Sequence, residues 1–268
     1  MQNEINIPVI LDAVRKVGNV FLKDYKQNAI PQTMDDLLQK LDNIDMLCLT
    51  SLKADLFSEF PNTPWHIGDE FDTDSQRNPG DQDEYWLCDA MDGAIQYLQH
   101  IAGWTINLAL VRNGKPFFSV IFDPLANEMF WAKEGEGAFM NEKLLQISPK
   151  TDLAVMLAVF DYGHQDKSNN SLNEKIGTTV TKLLQNFGIV RNYGPHGLQL
   201  AYVGAGRIDL FVQEDLDTYN WIAGLLIAQE AGAEILTTTG KPWQWGSESL
   251  LVAPKSIAEK YLQIKSQH

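Results

Sequence analysis

The chain predicts an α/β fold whose first half is α+β, and three observations carry that expectation. Apolar residues recur at helical spacing twice before residue 60, short strands and tight turns fill 105–140, and strand and helix alternate from about residue 150. The change of pattern divides the chain into an N-terminal α+β half, residues 1–148, and a C-terminal α/β half, residues 149–268. A chain of 268 residues can bury a sizeable core, as one large domain or two fused halves.

The first helix is predicted over 8–27, with Pro8 at its start and Ile10, Val14, Val17 and Phe21 along one face. A second occupies 34–60 and stops before Pro61, and a polar, Asp-rich loop follows from Asp69 to Glu84. Residues 85–88 read as a short buried strand. Residues 105–111 and 116–122 form a hairpin around Asn113-Gly114, a pair suited to a two-residue turn. Further strands are expected near 128–132 and 137–140, with turns at Gly135 and Gly137. In the second half, strands are expected at 154–160, 189–192, 208–211 and 234–236, with helices at 169–186, 198–205 and 220–231. Ser171 and Glu174 have capping-box spacing, and Gly188 and Gly232 terminate helices.

Composition narrows the function. A net charge of −14 argues against nucleic acid, whose phosphates select Lys/Arg-rich surfaces. A small phosphorylated ligand stays open, because a divalent cation reverses the local field. The N-terminus carries no apolar signal core and no apolar run approaches the roughly 18 residues of a membrane span, so a soluble cytoplasmic protein is expected. Cys48 and Cys88 lie in apolar segments and read as buried free thiols, in keeping with a reducing compartment.

The chemistry concentrates in Asp89-Ala90-Met91-Asp92-Gly93-Ala94, preceded by Gly68-Asp69-Glu70. Carboxylates at a strand exit beside a forced turn can converge on a hard cation such as Mg²⁺. By itself the pattern is more often a polar strand-end turn than a metal site.

Longer segments resemble the inositol monophosphatase family, the lithium-sensitive, Mg²⁺-dependent phosphomonoesterases. They are Leu108 to Pro116, Val120-Ile121-Phe122-Asp123-Pro124, Glu128 to Ala132, Gly135 to Asn141, Leu200 to Asp209 and Ala223 to Gly232, in the family's order and spacing. The resemblance implies an alternating α-β-α-β-α layered sandwich of the inositol monophosphatase/fructose bisphosphatase type, with the active site where the halves meet. It assigns Asp69, Glu70, Asp89, Asp92 and the Met91 carbonyl to metal binding, with Asp69, Glu70 and Asp92 in the catalytic role. Gly93, Ala94, His196 and Gln213 fall where substrate would be held, and a homodimer is implied by analogy.

Several motif positions depart from the family pattern. Asp69 stands where the family has Glu, and Ala94 where a Thr hydroxyl helps orient the attacking water. Tyr219-Asn220 replaces Trp-Asp; by the resemblance Asn220 is the further metal ligand, coordinating through its carbonyl oxygen without a charge, so a second Mg²⁺ would have one fewer anionic ligand. Asn220 also reads as the N-cap of the helix behind it. Gln213 replaces an acid that holds substrate hydroxyls, and the family's upstream Lys and Asp-x-Val-Thr-x-x-Asp pattern is not recognisable in residues 33–46. His196 reads either as a phosphate binder or as a histidine satisfied by its surroundings.

Three readings follow. The first is a Mg²⁺-dependent phosphomonoester hydrolase with weakened activity on a sugar or polyol phosphate. The second is a catalytically silent member that binds a phosphorylated metabolite or a partner protein. The third is a nucleotide bisphosphate phosphatase, placed last because no basic or aromatic group is arranged for a nucleobase and a second phosphate.

Overall fold

The computed structural model describes residues 4–66, 73–163 and 168–267. Helices α1 (Ile7–Asp24) and α2 (Met34–Leu56) open the chain. Strand β1 (Trp65–His66) and the short helix α3 (Thr73–Arg77) lead to β2 (Glu84–Asp92) and helix α4 (Ala94–Leu98). The meander β3 (Thr105–Arg112), β4 (Lys115–Asp123), β5 (Glu128–Lys133), β6 (Gly137–Met140) and β7 (Lys143–Leu144) completes the first half. Then come β8 (Leu157–Asp161), α5 (Asn170–Asn186), β9 (Ile189–Arg191), α6 (His196–Gly204), β10 (Leu210–Gln213) and α7 (Thr218–Glu230). Strands β11 (Glu234–Leu236) and β12 (Leu250–Ala253) and helix α8 (Lys255–Ser266) end the described chain.

Two sheets stack with helices between and outside them. Strands β1 to β7 lie in sequence order in one seven-stranded sheet, and the second is ordered β11-β12-β10-β8-β9. Ile10, Val14, Val17 and Phe21 of α1, with Ile44, Cys48, Leu52 and Leu56 of α2, cover one face of the first sheet. The other face packs on α6 and α7, which also carry the inner face of the second sheet. Leu183 and Phe187 beside α5, with Ile257 and Tyr261 of α8, cover the outer face of that second sheet. The layers run α-β-α-β-α, as the resemblance implies. Helix α7 is buried from Thr218 through Ala228 because sheets press on it from both sides, so no polar face marks it in sequence.

Local chemistry explains the elements. Pro8 lies in the first turn of α1, and the Thr33 hydroxyl caps α2 by accepting from the Asp36 N–H. Asn113 and Gly114 turn the β3–β4 hairpin with φ of 49° and 72°. Arg207 reaches from the α6–β10 connection to grip both carboxylate oxygens of Glu128 on β5 at 2.6 Å.

Some boundaries differ from the sequence reading. Residues 153–155 form a 3-10 turn rather than strand, because the Asp152 side chain accepts from the Ala154 N–H and tightens the chain. The cap of α5 is Asn169, accepting from Leu172 N–H, instead of the Ser171/Glu174 box. The loop before β2 contains α3, and β12 and α8 were not anticipated. Asn220 is not an N-cap: that position belongs to Asp217, and Asn220 lies in the first turn of α7.

Candidate functional site in the cleft between the two sheets

The end of β2 supplies the first part of the site. Its ladder with β3 pairs Asp89 with Asn107 and Asp92 with Thr105, with a register shift between them. That irregularity bends the strand out of the sheet, and Gly93 completes the turn with φ of 86°. A Cβ on Gly93 would lie 2.6 Å from the Gly103 carbonyl, so glycine is needed for both conformation and space. The Met91 side chain is buried in the α1/α2 core, and Ala94 begins α4.

Asp92 is 4% exposed and faces the second half of the chain. Its Oδ2 accepts from the Gly197 N–H at 2.7 Å and from Asn107 Nδ2 at 3.0 Å. The Thr105 hydroxyl donates to Asn107 Oδ1 at 2.8 Å and fixes that amide. The Gly197 N–H is one of the unpaired donors at the start of α6, so a carboxylate there is favoured by the helix end. Gly197 permits this approach, because a Cβ would stand 2.6 Å from Asn107 Nδ2 and 3.0 Å from Asp92 Oδ2. Burial nevertheless pushes the Asp92 carboxyl up to about 6, against the lowering pull of His196 and its two hydrogen bonds.

The second sheet brings further acids to the same place. Strands β8 and β10 are parallel and pair Asp161 with Gln213, so both end on one side. Gln213 donates from Nε2 to Asp217 Oδ2 at 3.1 Å and accepts from Trp221 Nε1 at 2.9 Å. Asn220 Nδ2 donates to Asp217 Oδ1 at 2.6 Å. Asp161 accepts from Gln199 Nε2 at 2.5 Å and from Asn192 Nδ2 at 3.1 Å. Asp215 takes the Gly163 N–H at 2.6 Å. Burial, helped by Asp217 and opposed by these hydrogen bonds and His196, raises Asp215 to about 6.

His196, the first residue of α6, points into this group. Its Nε2 lies 3.2 Å from Asp217 Oδ2 and 3.6 Å from Asp161 Oδ1, with the ring 13% exposed. Burial pulls the imidazole pKa down, but Asp161, Asp217, Asp92 and Asp215 outweigh it and raise the value to about 9. The positive end of α6 also disfavours a cation there, which makes the carboxylates the deciding influence.

Of the residues singled out by sequence, Asp92, His196, Gln213 and Asn220 are brought into one hydrogen-bonded and charge-coupled group, with Gly93 and Ala94 at the turn beside it. Asp69 and Glu70 lie outside the described residues. Asp161, Gln199, Asp215 and Asp217 belong to the group and were missed. Their signal was present as acids directly after apolar strand segments, at Asp161 and in Glu214-Asp215-Leu216-Asp217.

The family resemblance implies two Mg²⁺ ions in this cleft. Among the described residues, no three His, Cys, Asp or Glu side chains converge to hold an ion. Asn220 brings no charge, and its amide nitrogen is committed to Asp217. Both donors to Asp92 Oδ2 come from the chain itself. Of the ligand set the resemblance implies, the described residues hold Asp89, Asp92 and the uncharged Asn220, while Asp69 and Glu70 lie outside them.

Comparison with known proteins agrees with the architecture.

 

A family profile described as the inositol monophosphatase family matches residues 4–268. Among curated relatives, the Nus factor SuhB of Xylella fastidiosa is 27% identical over 235 residues, covering 87% of this chain and 82% of that protein. The fructose-1,6-bisphosphatase/inositol-1-monophosphatase of Thermotoga maritima is 28% identical over 185 residues, 69% of each chain. The crystal structure of the SuhB protein of Bartonella henselae superposes with a TM-score of 0.78 at 22% identity, covering 97% of this chain and 98% of that one. At that identity the structural likeness speaks for the fold alone, whereas the profile spans nearly every residue. The chain belongs to the inositol monophosphatase family.

Proposed function

We propose that this chain is a family member that has lost efficient Mg²⁺-dependent phosphomonoester hydrolysis and acts by binding a partner protein. The observation that carries the reading is the internal engagement of the cleft: Asp92, Asp161 and Asp217 accept hydrogen bonds from the chain's own Gly197, Asn107, Gln199, Gln213 and Asn220. Ala94 adds to it, since a methyl group can neither orient nor deprotonate a water. Loss of such general acid–base help alone lowers rates by about 10²–10⁴-fold. Several relatives bear the name Nus factor rather than that of a hydrolase, so descent in this family is compatible with a role other than phosphate release. The charge of −14 favours a protein over a nucleic acid as partner.

A second reading, a slow phosphomonoesterase with altered substrate, is favoured by the retained Asp89, Asp92 and Gly93 turn. Phosphate release from a panel of sugar, polyol and nucleotide phosphates, with Mg²⁺ or Mn²⁺, decides between them. The expected rate is at least about 10²-fold below that of a hydrolytically active relative assayed alongside. Turnover comparable to that relative overturns the proposal.

A further inference from the structure

We propose that a cavity at the edge of the first sheet is a binding site for a guanidinium group. It shares no lining residue with the cleft group and is independent of the functional reading above. The cavity has a volume of about 310 Å³ and is lined by Trp65, His66 and Tyr85 together with the loop of residues 79–82. That volume is at the small end of ligand pockets, which run from roughly 300 to 1,000 Å³, and suits a molecule of amino-acid size. Strand β1 is the edge of its sheet, and its two residues point to opposite faces. Trp65 packs with the α1/α2 core, whereas His66 meets the Tyr219 hydroxyl of α7 at 2.9 Å. The cavity therefore straddles the sheet edge.

Hydrogen bonds within the wall decide the class of ligand. The Tyr219 hydroxyl donates to the Ser75 carbonyl at 2.7 Å, so it accepts from His66 Nε2 and leaves Nδ1 as a lone-pair acceptor. Burial favours that neutral imidazole by lowering its pKa. The Tyr85 hydroxyl gives its proton to the Pro79 carbonyl, and its remaining lone pairs can also accept. Asp81 adds a carboxylate, and Gln82 can present its amide oxygen. Among the described residues no lysine or arginine pairs with Asp81: Arg77 is held by Asp74 and Glu248, and Arg112 by Glu84. No lysine or arginine lines the cavity itself. The wall thus offers acceptors, a negative charge and flat aromatic faces. A guanidinium matches all three, because it is a permanently charged, planar fork of N–H donors that stacks on rings. Lys53 Nζ, 5.8 Å from the Trp65 ring centroid, shows that this indole already takes a cation against its face.

The test is isothermal titration calorimetry of the full chain with two guanidinium probes and one control. Agmatine carries the group on a free small molecule, and acetylated arginine amide carries it as the side chain of a partner protein would. Tetramethylammonium has the charge without N–H donors. At least one guanidinium probe is expected to bind, and tetramethylammonium is expected not to bind at the same concentration. Tighter binding of agmatine assigns the site to a free small cation, and tighter binding of the capped arginine assigns it to a partner's side chain; either supports the inference. Asp81→Asn is expected to weaken binding about tenfold or more, and Trp65→Leu to weaken it as well. Asp81 is exposed in its loop, so that variant covers the case in which Trp65→Leu does not fold. Absence of binding by both guanidinium probes overturns the inference, as does equal binding of tetramethylammonium or an affinity unchanged in Asp81→Asn.

Discussion

Glu214 and Asp215 are neighbours in the chain, yet they show two opposite ways of burying a carboxylate. Glu214 turns toward α5 and α8, where Lys265 lies at 2.6 Å, Lys175 at 2.9 Å and the Thr238 hydroxyl at 2.8 Å, with Thr179 also donating. Burial would raise its pKa, but these partners win and hold it below the ordinary carboxylate range. Asp215 turns toward the cleft, where Asp217 repels it and burial pushes it up to about 6. The first arrangement has its charges matched and serves stability. The second gathers Asp92, Asp161, Asp215 and Asp217 around a single imidazole, an excess of negative charge that a purely structural site has no reason to retain.

The contrast can be broken from either side. Glu214→Ala strands two lysines and two hydroxyls, and is expected to lower stability by about 3 kcal/mol in denaturant unfolding, discounted for the partial exposure of the lysines. Gly197→Ala pushes a methyl group against Asn107 and Asp92, with an expected loss of about 1–3 kcal/mol and separation of Asp92 from α6.

The pH dependence sharpens the comparison further. A histidine raised from 6.5 to about 9 contributes stability that is full below pH 6.5 and lost as pH rises through 9. The difference in unfolding free energy between wild type and His196→Gln should therefore shrink between pH 6.5 and 9, by an amount on the order of 1–3 kcal/mol. Asp92 and Asp215, raised from 3.8 to about 6, contribute stability below pH 3.8 that disappears as pH rises through 6. Their effect therefore falls in a lower window than that of His196. A constant difference between the two proteins from pH 6.5 to 9 would contradict a charged His196.

The smallest expected effect concerns activity. Ala94→Thr with Asn220→Asp should raise phosphate release more than either change alone, because both residues border the same cleft and their effects should couple. Asn220→Asp by itself sets a carboxylate against Asp217 where an amide now donates, so it should destabilise the protein without restoring turnover. A double variant no faster than its parent would locate the decisive losses elsewhere, with residues 33–46 the first place to look.

Much of the fold was legible because its signals are local. Asn113-Gly114 marks a hairpin by backbone conformation, and the buried positions of α1 repeat at the helical period. Helix boundaries in the second half were less legible: α7 is buried on all sides and begins at Thr218, so neither amphipathicity nor Asn220 marked its start. In the site, Asp92-Gly93 could be read from the chain because a strand end and a turn are adjacent in sequence. The His196 group could not, since it depends on β8 and β10 lying in parallel register and on α6 reaching across to the first sheet. Such partners are set by tertiary packing and leave only scattered acids as a trace.

The most direct test of the central claim is single-turnover phosphate release, with the chain in excess over an inositol, sugar or nucleotide monophosphate and Mg²⁺ present. This detects one chemical event per site even if product leaves slowly. The account expects no release above the rate of a His196→Gln, Ala94→Thr, Asn220→Asp variant, and little above the buffer background. A burst of phosphate from the wild type, stoichiometric with substrate, would contradict it.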